Sequence, residues 1–291
     1  MFTGTHTALV TPFRQGQVDW TALEALLEKQ IEGKVDGVVP VGTTGESPTL
    51  SHEEHIEVIR FCVEKVAGRC QVIAGTGSNA TQEAMELTQA AEKAGADASL
   101  QVAPYYNKPT QEGLYQHFAA IASATKLPIV LYSIPGRCVV EIAVETVARL
   151  ASDFKNVVCI KEAGGKVERI APLKKSCPES FTILSGDDAL TLPFMREGAV
   201  GVISVASNLL PREVSDMVRA QQEGESAQAE ALEKKLMPIF RDLFIETNPM
   251  PIKAALAMKG WIVEEYRLPM VPMQSETRAR LETTLHEGDW L

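Results

Sequence analysis
Short apolar runs alternate along most of this chain with longer stretches in which apolar residues recur at helical spacing. The runs cover residues 7–10, 37–41, 72–74, 98–102, 129–132, 157–161, 182–185 and 200–204. Valine, isoleucine and leucine dominate them with little polar alternation, which is how strands buried on both faces of a parallel sheet read. Helix signals fill the intervals. Asp19 is placed to cap a helix whose Leu23, Leu26, Leu27 and Ile31 share a face. Ser51-His52-Glu53-Glu54 has the form of a capping box and opens a helix with Ile56, Ile59, Val63 and Val66 as its expected buried stripe. Further helices are predicted over residues 81–94, stopped by Gly95, and around 114–124, 144–150, 190–197 and 211–222.

About eight strand–helix units within residues 1–225 give the α/β class and the size and rhythm of a (β/α)8 TIM barrel. A doubly wound sheet needs fewer strands, and no Gly-x-Gly-x-x-Gly follows the first one. From Ser226 the strand signals stop. Residues 226–291 read as a C-terminal helical appendage of about three helices, one with Leu232, Leu236, Ile239, Phe240 and Leu243 on a face. Pro251, just after Asn248-Pro249, starts the second, and Pro269 and Pro272 break the chain before the third.

Composition narrows the partners. With 291 residues, 45% apolar and 23% charged, the chain can bury a full core. A net charge of -10 repels phosphate backbones and anionic lipid, so no nucleic-acid or membrane partner is expected and a small molecule is. Cys62, Cys70, Cys138, Cys159 and Cys177 are scattered, odd in number and without a Cys-x-x-Cys pair, as suits reduced thiols. The first residues lack a basic segment followed by an apolar run, and no stretch reaches the ~20 apolar residues of a membrane span. A soluble cytoplasmic protein is the expectation.

Chemistry is expected where strands end. Lys161 closes the run Val157-Val158-Cys159-Ile160 and opens into Glu162-Ala163-Gly164-Gly165. In α/β folds, ligands sit at such C-terminal strand ends. With an ordinary pKa near 10.4, roughly one lysine in a thousand is neutral at pH 7 to 7.5, so an amine nucleophile must be desolvated or set near cations. A strand buried on both sides supplies that, although a lone lysine at a strand end more often snorkels into water. The other strand ends bring Gly42-Thr43-Thr44-Gly45-Glu46-Ser47, Pro104-Tyr105-Tyr106-Asn107, Tyr132, and Arg137 within Ser133-Ile134-Pro135-Gly136-Arg137. Bare amides and hydroxyls in the first suit a small carboxylate. Tyrosine and threonine hydroxyls beside an amine form a proton relay for imine chemistry, and Arg137 adds a bidentate carboxylate binder. Metal chemistry is not expected: His6 precedes a strand, and His52, His55, His117 and His286 lie on helices. Asp187 and Asp188 after the seventh strand would repel a phosphate.

These motifs, joined by Gly75-Thr76-Gly77 with Asn79 and Thr81, Ile160-Lys161-Glu162, Ser185-Gly186-Asp187 and Asn248-Pro249 with Pro251, together resemble the 4-hydroxy-tetrahydrodipicolinate synthase (dihydrodipicolinate synthase) family. The resemblance runs from Phe2 to the last helix. It implies a lyase of lysine biosynthesis that needs no cofactor, in which Lys161 forms a Schiff base with pyruvate and the enamine attacks L-aspartate 4-semialdehyde. By the same resemblance Thr44, Tyr132 and Tyr106 form the relay, with Tyr106 entering from a neighbouring subunit. Thr43 and Thr44 hold the pyruvate carboxylate, Gly186 and Ile203 line the substrate site, and Arg137 holds the semialdehyde carboxylate. A homotetramer built as a dimer of dimers is implied as well. So is inhibition by L-lysine at Ser47, Pro48, His52, His55, Asn79, Glu83 and Tyr105. Ser133 and Cys138-Val139 depart from the family's Asn and Thr-Gly. An N-acetylneuraminate lyase or other sugar-acid aldolase shares the lysine and tyrosine, but Arg137 and the threonine pair suit a short carboxylated aldehyde better than a polyol. A silent barrel that only binds a 2-oxo acid is the alternative outside enzymes.

Overall fold
The computed structural model describes residues 2–291, so Met1, counted with the barrel from sequence, lies outside the described residues. Eight parallel strands close into a barrel: β1 (Gly4–Ala8), β4 (Gly37–Val39), β5 (Gln71–Gly75), β6 (Ala98–Val102), β7 (Ile129–Ser133), β8 (Val157–Glu162), β9 (Thr182–Ser185) and β10 (Gly201–Ser204). Each neighbours the next in chain order and β10 pairs with β1, the closed arrangement in which a sheet keeps no free edge. A small antiparallel hairpin, β2 (Phe13–Arg14) and β3 (Gln17–Val18), follows the first strand; its two-residue strands are too short to leave a periodic signal.

The outer ring holds α1 (Trp20–Glu32), α2 (His52–Val66), α3 (Thr81–Ala94), α4 (Gln111–Ser123), α5 (Pro135–Cys138), α6 (Val144–Asp153), α7 (Ile170–Ser176), α8 (Thr191–Arg196) and α9 (Pro211–Gln222). Helix ends fall where local chemistry puts them. The Asp19 carboxylate accepts from Ala22 N, Ser51 and Glu54 form the reciprocal capping box, and Gly95 ends α3 in the left-handed region. Two expectations shift. The first strand begins at Gly4 rather than Thr7, so His6 lies within it, buried and bonded to Gln71. The buried stripe of α2 is His55, Val58, Ile59, Cys62 and Val66, with Ile56 and Val63 only partly covered, because His55 turns inward to a backbone carbonyl and rotates the face. Helix α7 was not apparent from periodicity, since it is only two turns long and buries just Ile170 and Leu173.

The chain ends in α10 (Ser226–Asp242), α11 (Met250–Met258) and α12 (Ser275–Glu287). Leu236, Ile239, Phe240, Ile252 and Leu256 belong to the same buried cluster as Leu9, Val38 and Leu209 of the barrel, so these helices share its core. No helix among the described residues is long and apolar enough to cross a membrane. The loop between α10 and α11 and the first turns of α11 lie over the barrel mouth, bringing Asn248 and Lys253 to the turn after β4.

Candidate active site
Lys161 stands one residue before the end of β8, in register with Tyr132 of β7 and Leu184 of β9. Side chains at paired positions of neighbouring strands share a face, so amine and phenol meet inside the barrel. Lys161 Nζ lies 4.3 Å from the centre of the Tyr132 ring. Burial pulls the Lys161 pKa down to about 8; the Asp188 carboxylate opposes that fall and the Arg137 guanidinium adds to it. At that value roughly a tenth of the amine is neutral at pH 7. Burial also pushes the Tyr132 phenol up to about 12, with Arg137 and the neighbouring Thr43 hydroxyl pulling it back, so Tyr132 keeps its proton and is poised to donate it.

Glycine is required beside the amine: a Cβ on Gly186 would stand 3.0 Å from Lys161 Cε and 2.6 Å from Ala163 Cβ. Ile203 is buried on β10, paired with His6. Behind the nucleophile, Glu162 points away from the barrel interior and is fully buried against Arg169, which also reaches Glu141 and the carbonyl of Ile142. Burial raises the Glu162 pKa, and Arg169 counters it. The cluster ties the turn after Lys161 to the segment that follows Arg137.

A cavity of about 230 Å³ opens at the C-terminal end of the barrel, with Thr43, Leu100, Tyr105, Tyr132, Arg137 and Cys138 in its walls. Lys161 lies deeper, against the Tyr132 ring, and is not part of that wall. Arg137 sits on α5, and its Nη2 donates to the carbonyl of Asn248 at 3.0 Å. The Thr44 hydroxyl accepts from Asn248 Nδ2 at 3.0 Å, and the Thr43 hydroxyl is hydrogen-bonded with Tyr132.

Tyr106 is not brought to this cavity. It is 89% exposed and holds a left-handed φ of 72°, a conformation that costs a non-glycine residue energy and persists at functional sites. Val139, two residues beyond Arg137, is likewise left-handed with φ 69°. A β-branched side chain is poorly suited to that geometry, so the departure from glycine at this place is carried at a cost.

Six of the seven residues implied for L-lysine line a second cavity of about 180 Å³: Ser47, Pro48, His52, His55, Glu83 and Tyr105. Asn79 is outside its wall and donates through Nδ2 to the carbonyl of Tyr105 at 3.1 Å. Glu83 is held by the Ser78 hydroxyl and by His52 Nε2 at 2.7 Å, and the Ser78 bond is the main cause of its lowered pKa. Burial lowers the His55 pKa, and its Nε2 donates to the carbonyl of Gly75 at 2.8 Å. Ser47, Pro48, Gly77 and Tyr105 belong to the walls of both cavities.

The sequence reading placed neither Ser78 nor Arg169, took Asp188 only as a charge that would repel phosphate, and took Asn248 only as part of a motif. Asn248 is 204 residues from the threonine it holds, so local pattern carries no trace of the contact. Asp188 is buried, its Oδ2 accepting from the amides of Val205 and Ala206 at 3.0 Å each; burial raises its pKa to about 6.

A parallel eight-stranded barrel with a desolvated lysine at a strand's C-terminal end, a phenol against it and an arginine nearby is an arrangement suited to chemistry on an amine. The model of the dihydrodipicolinate synthetase family matches residues 1–288, and the chain belongs to that family. The 4-hydroxy-tetrahydrodipicolinate synthase of Aquifex aeolicus (strain VF5) is 50% identical over 285 residues, spanning 98% of this chain and 97% of that protein. The solved 4-hydroxy-tetrahydrodipicolinate synthase of Methylacidiphilum fumariolicum SolV superposes with a TM-score of 0.98 at 58% identity, covering 99% of this chain and 96% of the other. The DHDPS of Cyanidioschyzon merolae, solved with lysine bound, gives a TM-score of 0.97 at 41% identity over 100% and 99% of the two chains. The sugar-acid aldolase alternative is not favoured by these relatives.

Proposed function
We propose that this chain condenses pyruvate with L-aspartate 4-semialdehyde to give 4-hydroxy-tetrahydrodipicolinate, the step that opens the diaminopimelate route to lysine, with the Schiff base on Lys161. The buried amine with a pKa of about 8, set against Tyr132, carries the reading. Neutral Nζ attacks the carbonyl of pyruvate, and the departing hydroxyl takes a proton from Tyr132. Loss of a methyl proton then gives the enamine, which attacks the aldehyde carbon. The amine of the second substrate finally displaces Lys161 and closes the ring. Thr44 joins Tyr132 in the relay, Thr43, hydrogen-bonded with Tyr132, holds the pyruvate carboxylate together with Thr44 and the neighbouring amides, and Gly186 and Ile203 shape the space around the adduct. Arg137 binds the semialdehyde carboxylate. Tyr106 completes the relay from a neighbouring subunit, which accounts for an aromatic side chain standing in solvent on a strained backbone. Borohydride reduction in the presence of pyruvate should fix one pyruvate-derived mass on Lys161, and Lys161→Ala should abolish it. An adduct on another lysine, or none, sinks the assignment.

The second cavity suits L-lysine. Glu83 pairs with an ammonium, and the Tyr105 hydroxyl and Asn79 amide supply donors for a carboxylate. Because the two cavities share Ser47, Pro48, Gly77 and Tyr105, an occupant of one presses on the wall of the other, which is the physical basis for inhibition. Initial rates should fall as L-lysine rises into the millimolar range and fall less in Glu83→Ala; flat rates in the unaltered chain would refute the site.

A further inference from the structure
Arg169, just before α7, is 8% exposed, and every nitrogen of its guanidinium is engaged. Nε and Nη2 donate to Glu162 Oε2 at 3.2 and 3.1 Å, Nη2 also donates to the carbonyl of Ile142 at 2.9 Å, and Nη1 donates to Glu141 Oε2 at 2.8 Å. The other Glu162 oxygen accepts from the amide of Gly164 at 2.8 Å. One planar fork therefore joins two stretches of chain: the end of β8, which carries Lys161, and residues 141–142, which follow the short helix of Arg137.

Without that fork the two stretches are held unequally. Lys161 and Glu162 pair with Tyr132 and Ser133 of β7 on one side and with Leu184 and Ser185 of β9 on the other, so the barrel itself fixes the amine. Helix α5 has four residues and belongs to no sheet. A single turn does not hold its own shape, so the place of Arg137 depends on what grips the chain just after it. There the backbone passes through the exposed, left-handed Val139 and is buried again only at Ile142. On the outer side the exposed Gln111 of α4 binds the carbonyl of Glu141 and the amide of Ala143. On the inner side stand Arg169 and a long 3.4 Å bond from the amide of Ile142 to Ser133 Oγ. The turn after Lys161 also backs onto α5, since a Cβ on Gly164 would lie 3.6 Å from Pro135 Cγ.

We infer that Arg169 is a positioning residue for the condensation: it clamps the segment after α5 onto the nucleophile's strand and so fixes the reach between Lys161 and Arg137. The inference rests on the proposed function and on Arg137 as the binder of the semialdehyde carboxylate. The pyruvate adduct needs the amine that the barrel holds, whereas its attack on the aldehyde needs that aldehyde brought to the enamine by a guanidinium on the clamped helix. A displacement of about 1 Å there costs up to about a hundredfold in the carbon–carbon step. Arg137 also helps to hold down the Lys161 pKa, so its withdrawal moves the pH midpoint of adduct formation upward.

The test uses the two specificity constants, because kcat/KM for pyruvate reports the steps up to the enamine and kcat/KM for the semialdehyde those after it. Arg169→Lys keeps a charge against Glu162, so no buried carboxylate is stranded, but a point charge cannot span three acceptors. Above the midpoint of adduct formation it should lower kcat/KM for L-aspartate 4-semialdehyde roughly tenfold or more and that for pyruvate by less than about twofold, and the midpoint itself should rise. Glu141→Ala cuts one arm at a partly exposed position, should give a smaller change of the same sign, and carries the test if Arg169→Lys does not fold. In an Arg137→Ala background either substitution should add less than about twofold, because it acts through Arg137. Arg280→Ala, which weakens the hold on buried Asp242 between α10 and α12, controls for lost stability and should leave the ratio of the two constants unchanged. Equal losses toward both substrates, no loss in either variant, a ratio shifted as much by Arg280→Ala, or full additivity with Arg137→Ala would overturn the inference. The underlying reading fails differently: Arg137→Ala would then leave use of the semialdehyde unchanged, or the unaltered chain would form no pyruvate adduct on Lys161.

Discussion

Lys161 shows how one residue's burial sets both reactivity and stability. On the proposed mechanism its amine must be neutral to attack, so the rate of borohydride-trappable adduct formation with pyruvate should rise with pH and level off above about 8. Asp188 holds that pKa up and Arg137 holds it down, so Asp188→Asn should move the midpoint to lower pH and Arg137→Ala to higher pH. Midpoints unmoved by both substitutions would mean that burial alone sets the amine. The sign for stability is opposite to that of a lysine in a surface ion pair. The folded pKa is about 8 against an ordinary 10.5, so between those values the unfolded chain binds more protons and stability rises with pH. The penalty is full below pH 8 and fades toward 10.5, the usual bargain in which an active site is kept at the expense of the fold.

At the scale of elements, the turn after β4 and helix α11 are joined by a buried ion pair. Lys253 and Glu46 are both closed to solvent, and Lys253 Nζ also stands 4.3 Å from the Phe13 ring centre, within the β2–β3 hairpin. The second Glu46 oxygen accepts from Arg267 N at 3.2 Å. Such a pair adds little over a well-packed apolar pair, but removing one partner strands a buried charge. Urea unfolding should therefore show Lys253→Met and Glu46→Leu each costing about 3–5 kcal/mol, with the double variant recovering most of the loss. Additive losses would show that the two charges act independently. Asn248 and Lys253 together make the C-terminal helices a support for the threonine turn, so activity should fall with the single variants even where the chain stays folded.

Across the whole molecule, the proposed function has each protomer complete its partner's relay with Tyr106, which is exposed and outside the cavity wall of its own chain. Tyr106→Phe and Lys161→Ala should each be nearly inactive alone. When the two are mixed and allowed to exchange subunits, sites with an intact lysine and a borrowed tyrosine should reappear, giving about a quarter of the unaltered activity if the interface is two-fold and exchange is random. Sedimentation of the unaltered chain as a monomer with full activity would remove the need for a borrowed residue.

The barrel was legible in the sequence because both of its periodicities are local. Short apolar runs and amphipathic helices declare themselves within a dozen residues, as do Asp19, Ser51-Glu54 and Gly95 at helix ends. Lys161, Tyr132 and Arg137 were legible because a closed barrel gathers the C-terminal ends of its strands in one place. What the tertiary structure alone decided is orientation and long-range pairing: which of Thr43 and Thr44 faces the phenol, that Asn248 grips a threonine 204 positions away, and that Lys253 neutralises Glu46 across 207. Those contacts are set by how the last helices fold back over the barrel mouth, where packing rather than local propensity selects each side chain's neighbour.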